Sequence, residues 1–400
     1  MATMPRVLLD LRPLQSGYAG HGIGRYTREL TQALLALRKK RGLGRDLEMQ
    51  ALLFSHPQYP PWKPETVLAG FEGLEAGLFC PPWKRTWLWD QTHLGGFWLK
   101  TGKWDLLHQF VSLGPLGISS LPWLSAGMCV ATVHDLHLFS PDAPPVLKAY
   151  RQTRRMRCQE WALPRSNAVL VDAAPIQEQL LRRFPVASPP IILPPGGDHL
   201  LRRSKASRPH FSPEGDGAPS PLPPLSYVLA IGDTPNKGLG FAAEIVAMAR
   251  KRGDDLQLLV LGDAENVKRE LGPWNGQPFI HIQTRPDDDG LIRAYTHALA
   301  LVFPSDREGF GLPILEAQSL GCPALTADIR PMKDLVAQPE HCLALSDAQA
   351  WAQALLRLRQ APEWRRTCVE AGKTLAAEFT WERTASALIE IWANRMGVGN

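Results

Sequence analysis

Residues 302–328 read VFPSDREGFGLPILEAQSLGCPALTAD. The apolar run Ala300-Leu301-Val302-Phe303 has strand character, Gly309 and Gly311 allow a tight turn, and Pro313 suits the start of a helix. Strand, glycine-rich turn and helix in that order form the repeating unit of a parallel α/β sheet, whose ligands gather at the carboxyl ends of the strands. The glycines bring backbone N–H groups close to a ligand. The unpaired N–H groups of the helix N-terminus, with roughly half a positive charge from the dipole, favour an anion such as phosphate. Glu308 and Glu316 bracket this turn. Carboxylates do not bind phosphate, so in a functional role they take hydroxyl groups, and the spacing suggests a sugar nucleotide. The plainer alternative makes Glu316 a first-turn helix acid and Glu308 a solvated loop acid.

Working outward, the same unit recurs. Val7-Leu8-Leu9 reads as a first strand, and Gly17 to Gly24 as a glycine-rich turn before a helix with Tyr26, Leu30, Ala33, Leu34 and Leu37 on one face. Cys129 to Val133, Ala168 to Val171 and Ile191 to Leu193 continue the series, the last ending at Pro194-Pro195-Gly196-Gly197-Asp198. From His199 to Ser226 the composition turns to proline, serine and glycine without apolar periodicity, which predicts a linker. A second series begins at Tyr227-Val228-Leu229-Ala230-Ile231-Gly232 and runs through Leu256–Gly262 and Phe279–Ile282. Two Rossmann-like α/β domains, 1–198 and 227–382, facing each other across a cleft are expected, followed by a long helical pattern from Trp381 to Met396.

The chain has 400 residues, 44% hydrophobic and 21% charged, enough for two globular cores. It has no apolar run of about 20 residues and no signal-peptide pattern at MATMPRVLLDLRPL, so a cytoplasmic protein is expected. Six cysteines without a CxxC pair suggest neither zinc nor a disulfide framework. A net charge of +5 is too small to indicate nucleic acid without a binding motif. Lys148, Arg151 and Arg155, with Arg154 and Arg157 beside them, form a basic helical face, either solvated or in peripheral contact with an anionic surface at the inner face of a membrane. The tryptophans between Trp83 and Trp104 fit core packing, or an aromatic surface for an acceptor.

Residues 302–328 resemble the donor-site signature of glycosyltransferase family 4, retaining enzymes of the GT-B fold, and the resemblance extends through ordered motifs over nearly the whole chain. It implies an acceptor-side domain over 1–198, a donor-binding domain over 227–382, and a C-terminal helix, 383–400, that crosses back to the first. Gly22-Ile23-Gly24-Arg25-Tyr26 is similar to the family loop that approaches the donor diphosphate, which implicates Gly22 and Gly24. His134 matches the strand-end histidine that faces the transferred sugar. Gly232 ends the first strand of the second series, and Lys237 resembles the lysine that holds the diphosphate; a fixed cation there stabilises charge developing on the leaving group. The resemblance gives Glu316 ribose hydroxyls, places Glu308 near the sugar, and assigns backbone contacts around Gly309, Phe310, Gly311 and Leu312. His134, Glu308 and Lys237 are thereby the expected catalytic residues.

Two positions depart from the family pattern. Asp233 stands where many relatives have an arginine, so either Arg307 or Arg285 substitutes, the loop turns Asp233 away, or catalysis is weakened. Asp172 lies in a turn where relatives usually have serine. Asp287-Asp288-Asp289 reads as a helix cap, not a metal motif. No metal and no cofactor are expected. The resemblance implies a hexosyltransferase of mannose or glucose type, using a nucleotide-diphosphate sugar and a glycan or lipid-linked acceptor in cell-surface polysaccharide synthesis. A noncatalytic sugar-nucleotide-binding protein, a nucleotide-sugar epimerase and an interaction module of a polysaccharide assembly complex remain as rivals.

Overall fold

A computed structural model describes residues 4–16, 19–20, 22–40, 47–54, 64–80, 104–111, 113, 128–140, 143, 145–206, 223–284 and 286–397. The tryptophans at 83, 87, 89 and 98, Arg285, and 207–222 of the expected linker lie outside the described residues. The chain divides into two compact units, Met1–Pro195 with Trp381–Asn400, and Gly196–Thr380.

The first unit holds a parallel sheet of seven strands: β1 (Arg6–Asp10), β2 (Glu48–Phe54), β3 (Glu75–Cys80), β4 (Leu106–Gln109), β5 (Met128–Val133), β6 (Ala168–Val171) and β7 (Ile191–Ile192), in the order β3-β2-β1-β4-β5-β6-β7. Val7, Leu8, Leu9, Val130 and Leu170 are fully buried, as expected of continuous apolar strands covered on both faces. The helix Gly22–Lys40 buries the predicted face of Tyr26, Leu30, Ala33, Leu34 and Leu37. It starts earlier than the sequence suggests, so Gly22 and Gly24 belong to its first turn and not to the preceding loop. Glycine adopts helical angles freely, and first-turn N–H groups carry no intrahelical bond, so the apolar repeat extends backward by one turn. The C-terminal helix Trp381–Met396 returns to this unit, burying Trp381, Leu388 and Trp392, with Trp381 edge-on to Tyr26 at 5.6 Å.

The second unit holds six parallel strands: β8 (Tyr227–Ile231), β9 (Gln257–Leu261), β10 (Ile280–Gln283), β11 (Leu301–Phe303), β12 (Ala324–Ala327) and β13 (Cys342–Leu343), in the order β10-β9-β8-β11-β12-β13. The chain enters this unit at Gly196, and the first eight residues of the expected linker instead form the helix His199–Ala206. Its apolar side chain Leu200 and the ring of His199 are buried, and Arg203 forks onto Asp289 at 2.7 and 2.8 Å. The proline and serine bias of the whole stretch hides this short helix because it begins only beyond Ala206.

Each sheet reverses its strand order once, between β1 and β4 and between β8 and β11. The loops leaving β8 and β11 at their carboxyl ends are therefore neighbours, and such a reversal is where open α/β sheets bind ligands. No helix among the described residues is long and apolar enough to cross a membrane.

Candidate functional site

In the second unit the site grows from Gly232, at the carboxyl end of β8. Its φ is +121°, and a Cβ there would lie 2.6 Å from Lys237 Cγ, so only a bare backbone lets the lysine stem fold over the strand end. Lys237, in the single turn Pro235–Lys237, sends Nζ to Glu308 Oε1 at 2.5 Å and stands 5.0 Å from the Phe303 ring centre. Ser305 Oγ lies 2.7 Å from the same carboxylate oxygen. Asn236 ties the two loops, donating from Nδ2 to the Arg307 carbonyl at 3.0 Å. Lys237 and Glu308 are expected from the sequence; Ser305 and Asn236, within three residues of them, are not, because they differ from loop polar residues only in their partners. Both charged side chains keep an opening to solvent, 19% for Lys237 and 14% for Glu308.

Gly311, at φ +117°, turns the chain into the helix Leu312–Ser319. Gly309 lies in the preceding bend, and the Phe310 ring packs edge-on to Phe379 at 6.0 Å. Leu312 opens the helix and Glu316 lies inside it, 7% exposed. Tyr295 Oη donates to Glu316 Oε2 at 2.8 Å. His199 Nε2 stands 3.1 Å from Oε1, without the alignment of a hydrogen bond. Tyr295 comes from the helix Asp288–His297, where the Asp287 carboxylate accepts the Gly290 N–H at 2.8 Å, the capping role read from the acidic triplet. A buried tyrosine hydroxyl needs a partner, which is the one sequence signal pointing to Tyr295; nothing in the sequence singles out His199.

Asp233 is buried, and its Oδ2 accepts the Asp263 N–H at 2.9 Å at the end of β9. The acid is thus turned toward the neighbouring strand end. Arg307 pairs with adjacent Asp306 at 3.1 Å.

In the first unit, His134 follows β5 and Asp172 follows β6, adjacent parallel strands. His134 Nδ1 meets Asp172 Oδ2 at 2.7 Å and Nε2 meets the Phe110 carbonyl at 2.9 Å. Two oxygen acceptors call for two N–H donors, the arrangement of an imidazolium. Burial pulls the His134 pKa down, but the charge and hydrogen bond of Asp172 outweigh it and raise the pKa above its usual value. Nearby His108 is pushed down to about 3, first by burial and then by the charge of His134. Asp10, the last residue of β1, and Arg12 form a buried ion pair at 3.0 Å. The structure therefore joins Gly232, Lys237 and Glu308 directly and carries Glu316 on the helix that follows; His134, Gly22 and Gly24 belong to the other unit.

Residues 226–361 match the family model described as glycosyl transferases group 1. A D-inositol 3-phosphate glycosyltransferase of Corynebacterium urealyticum is 34% identical over 32% of this chain and 30% of its own length. The enzyme of the same name from Corynebacterium aurimucosum is 25% identical over 74% of this chain and 73% of its own. Among solved structures, Anabaena Alr3699/HepE in complex with UDP and glucose aligns over 98% of this chain and 99% of its own, with a TM-score of 0.64 and 14% identity. The second unit carries a glycosyl transferases group 1 domain, and the two parallel α/β units have the GT-B fold.

Proposed function

We propose that this chain, with its group 1 glycosyltransferase domain, is a retaining hexosyltransferase that moves a mannose- or glucose-type sugar from a nucleotide-diphosphate donor to a glycan or lipid-linked acceptor. The observation that carries this reading is the Lys237–Glu308 pair at the strand-order reversal of the second sheet, with the Glu316 carboxylate braced on the helix that follows. The arriving diphosphate competes with Glu308 for the Lys237 ammonium. Once released, Glu308 accepts hydrogen bonds from sugar hydroxyls, while Glu316 takes the ribose. Lys237 then faces the charge that develops as the bond from the anomeric carbon to the phosphate breaks, where a preorganised cation has most effect. The leaving phosphate oxygen takes the acceptor proton as the acceptor oxygen bonds to the same face of an oxocarbenium-like carbon. His134, its two nitrogens engaged by Asp172 and Phe110, has no lone pair for use as a base, and we assign it to positioning.

Purified protein is incubated with GDP-mannose, UDP-glucose and related donors and with glycan and lipid-linked acceptors, with and without EDTA. The expected outcome is one preferred donor, undiminished turnover in EDTA, and a product with the donor's anomeric configuration by NMR. An inverted product or strict metal dependence rejects the mechanism. Conversion of donor without acceptor favours an epimerase.

A further inference from the structure

Glu316 is contacted by groups on two other helices. Tyr295 Oη donates to Oε2 at 2.8 Å, and His199 Nε2 stands 3.1 Å from Oε1; all three residues are at most 7% exposed. A carboxylate offers about four lone-pair sites on two oxygens. Tyr295 takes one of these sites on Oε2 and the His199 ring abuts Oε1, so the carboxylate is held at one rotation about its terminal bond, and its two oxygens at fixed spacing match a vicinal diol. A carboxylate without these contacts would rotate about its terminal bond, which is broad in energy, and would lose that match. His199 opens the helix His199–Ala206, three residues after the chain enters the second unit at Gly196, so its ring is held by backbone independent of the helix that carries Glu316.

We propose that His199 and Tyr295 are positioning residues that orient the Glu316 carboxylate to accept both hydroxyls of a ribose, making the site selective for ribonucleoside over deoxyribonucleoside diphosphates. This rests on the reading of Glu316 given above. Truncation of either brace loosens Glu316 without removing its charge, so diphosphate binding survives while discrimination at the ribose declines. Glutamine places an amide nitrogen close to the position of a histidine Nε2, whereas alanine does not, so His199→Gln keeps what His199→Ala loses.

The test is calorimetric titration of the full chain with GDP and UDP and with their 2′-deoxy and 2′,3′-dideoxy counterparts. Circular dichroism of each variant serves as the check on folding. A ribose preference of about tenfold or more is expected for the unaltered protein, the size of one or two charge-assisted hydrogen bonds. Glu316→Gln abolishes most of that preference. Tyr295→Phe and His199→Ala each reduce it at least about threefold while the dideoxy compounds bind as before, and His199→Gln restores it. If folded Tyr295→Phe and His199→Ala keep the full preference, the positioning inference is overturned and the reading of Glu316 stands. If the unaltered protein shows no preference, or Glu316→Gln retains it, the reading of Glu316 itself is rejected and the inference with it.

Discussion

At Gly232 an added methyl group would sit 2.6 Å from Lys237 Cγ, on a backbone held at φ +121°. Gly232→Ala therefore strains the strand end and displaces the ammonium. We expect a loss of about 1–3 kcal/mol of stability in urea and about tenfold weaker nucleoside diphosphate binding by calorimetry; unchanged affinity would separate Lys237 from the diphosphate. His134 gives a second prediction. Its folded pKa is raised, so protonated His134 contributes stability fully below the unfolded histidine value of about 6.5, for as long as Asp172, whose own pKa burial raises, stays ionised, and that contribution is lost as pH rises through the folded value. Asp172→Asn removes the opposing charge and leaves the burial. The His134 resonance in an NMR titration should move from a midpoint above 6.5 to one below it, and a midpoint that stays put contradicts the ion pair. Lys237 and Glu308 are singled out in the sequence by the family motifs they resemble, since a lysine or an acid in a loop beyond a strand is by itself ordinary. Asp233 is legible only as an anomaly, since its partner, the Asp263 N–H, is thirty positions away and is a backbone group that any residue would supply.

The helix Leu312–Ser319 is buried from Ile314 to Ser319, polar residues included. A helix covered all round shows no polar stripe, so the glycines and proline that start it are legible while its surroundings are not. A polar side chain inside it that meets no ligand must be satisfied by protein. Gln318, 3% exposed, donates from Nε2 to the Leu335 carbonyl at 2.7 Å. Gln318→Leu leaves that buried carbonyl without its donor, with an expected cost of about 1–3 kcal/mol. A urea midpoint unchanged at equal m-value would contradict it. The helix His199–Ala206 is illegible for the opposite reason: it is short, and a window wide enough to measure periodicity takes in the proline-rich residues beyond it.

The first and last described residues belong to one unit, while the other is the single stretch of sequence Gly196–Thr380. The alternation of strands and helices makes both units legible in the sequence, and the late apolar repeat marks the final helix, but its packing depends on contacts about 280 to 355 positions apart. Tyr26 lies 5.6 Å from Trp381, and His108 lies 5.5 Å from Trp392. Deleting 381–400 strips Trp381, Leu388 and Trp392, all fully buried, from the first unit. Emptying one such tryptophan site costs about 3–5 kcal/mol, so losing two and a leucine approaches the whole stability of a typical domain, about 5–15 kcal/mol. The second unit loses none of its residues, and in the proposed function it holds Lys237, Glu308 and Glu316. The truncated chain should therefore lose far more helical signal in circular dichroism than the sixteen residues of Trp381–Met396 account for, become protease-sensitive before Pro195, and still bind nucleoside diphosphate within about threefold of the intact chain. Loss of nucleotide affinity while Gly196–Thr380 stays protease-resistant would mean that the nucleotide site is not contained in the second unit.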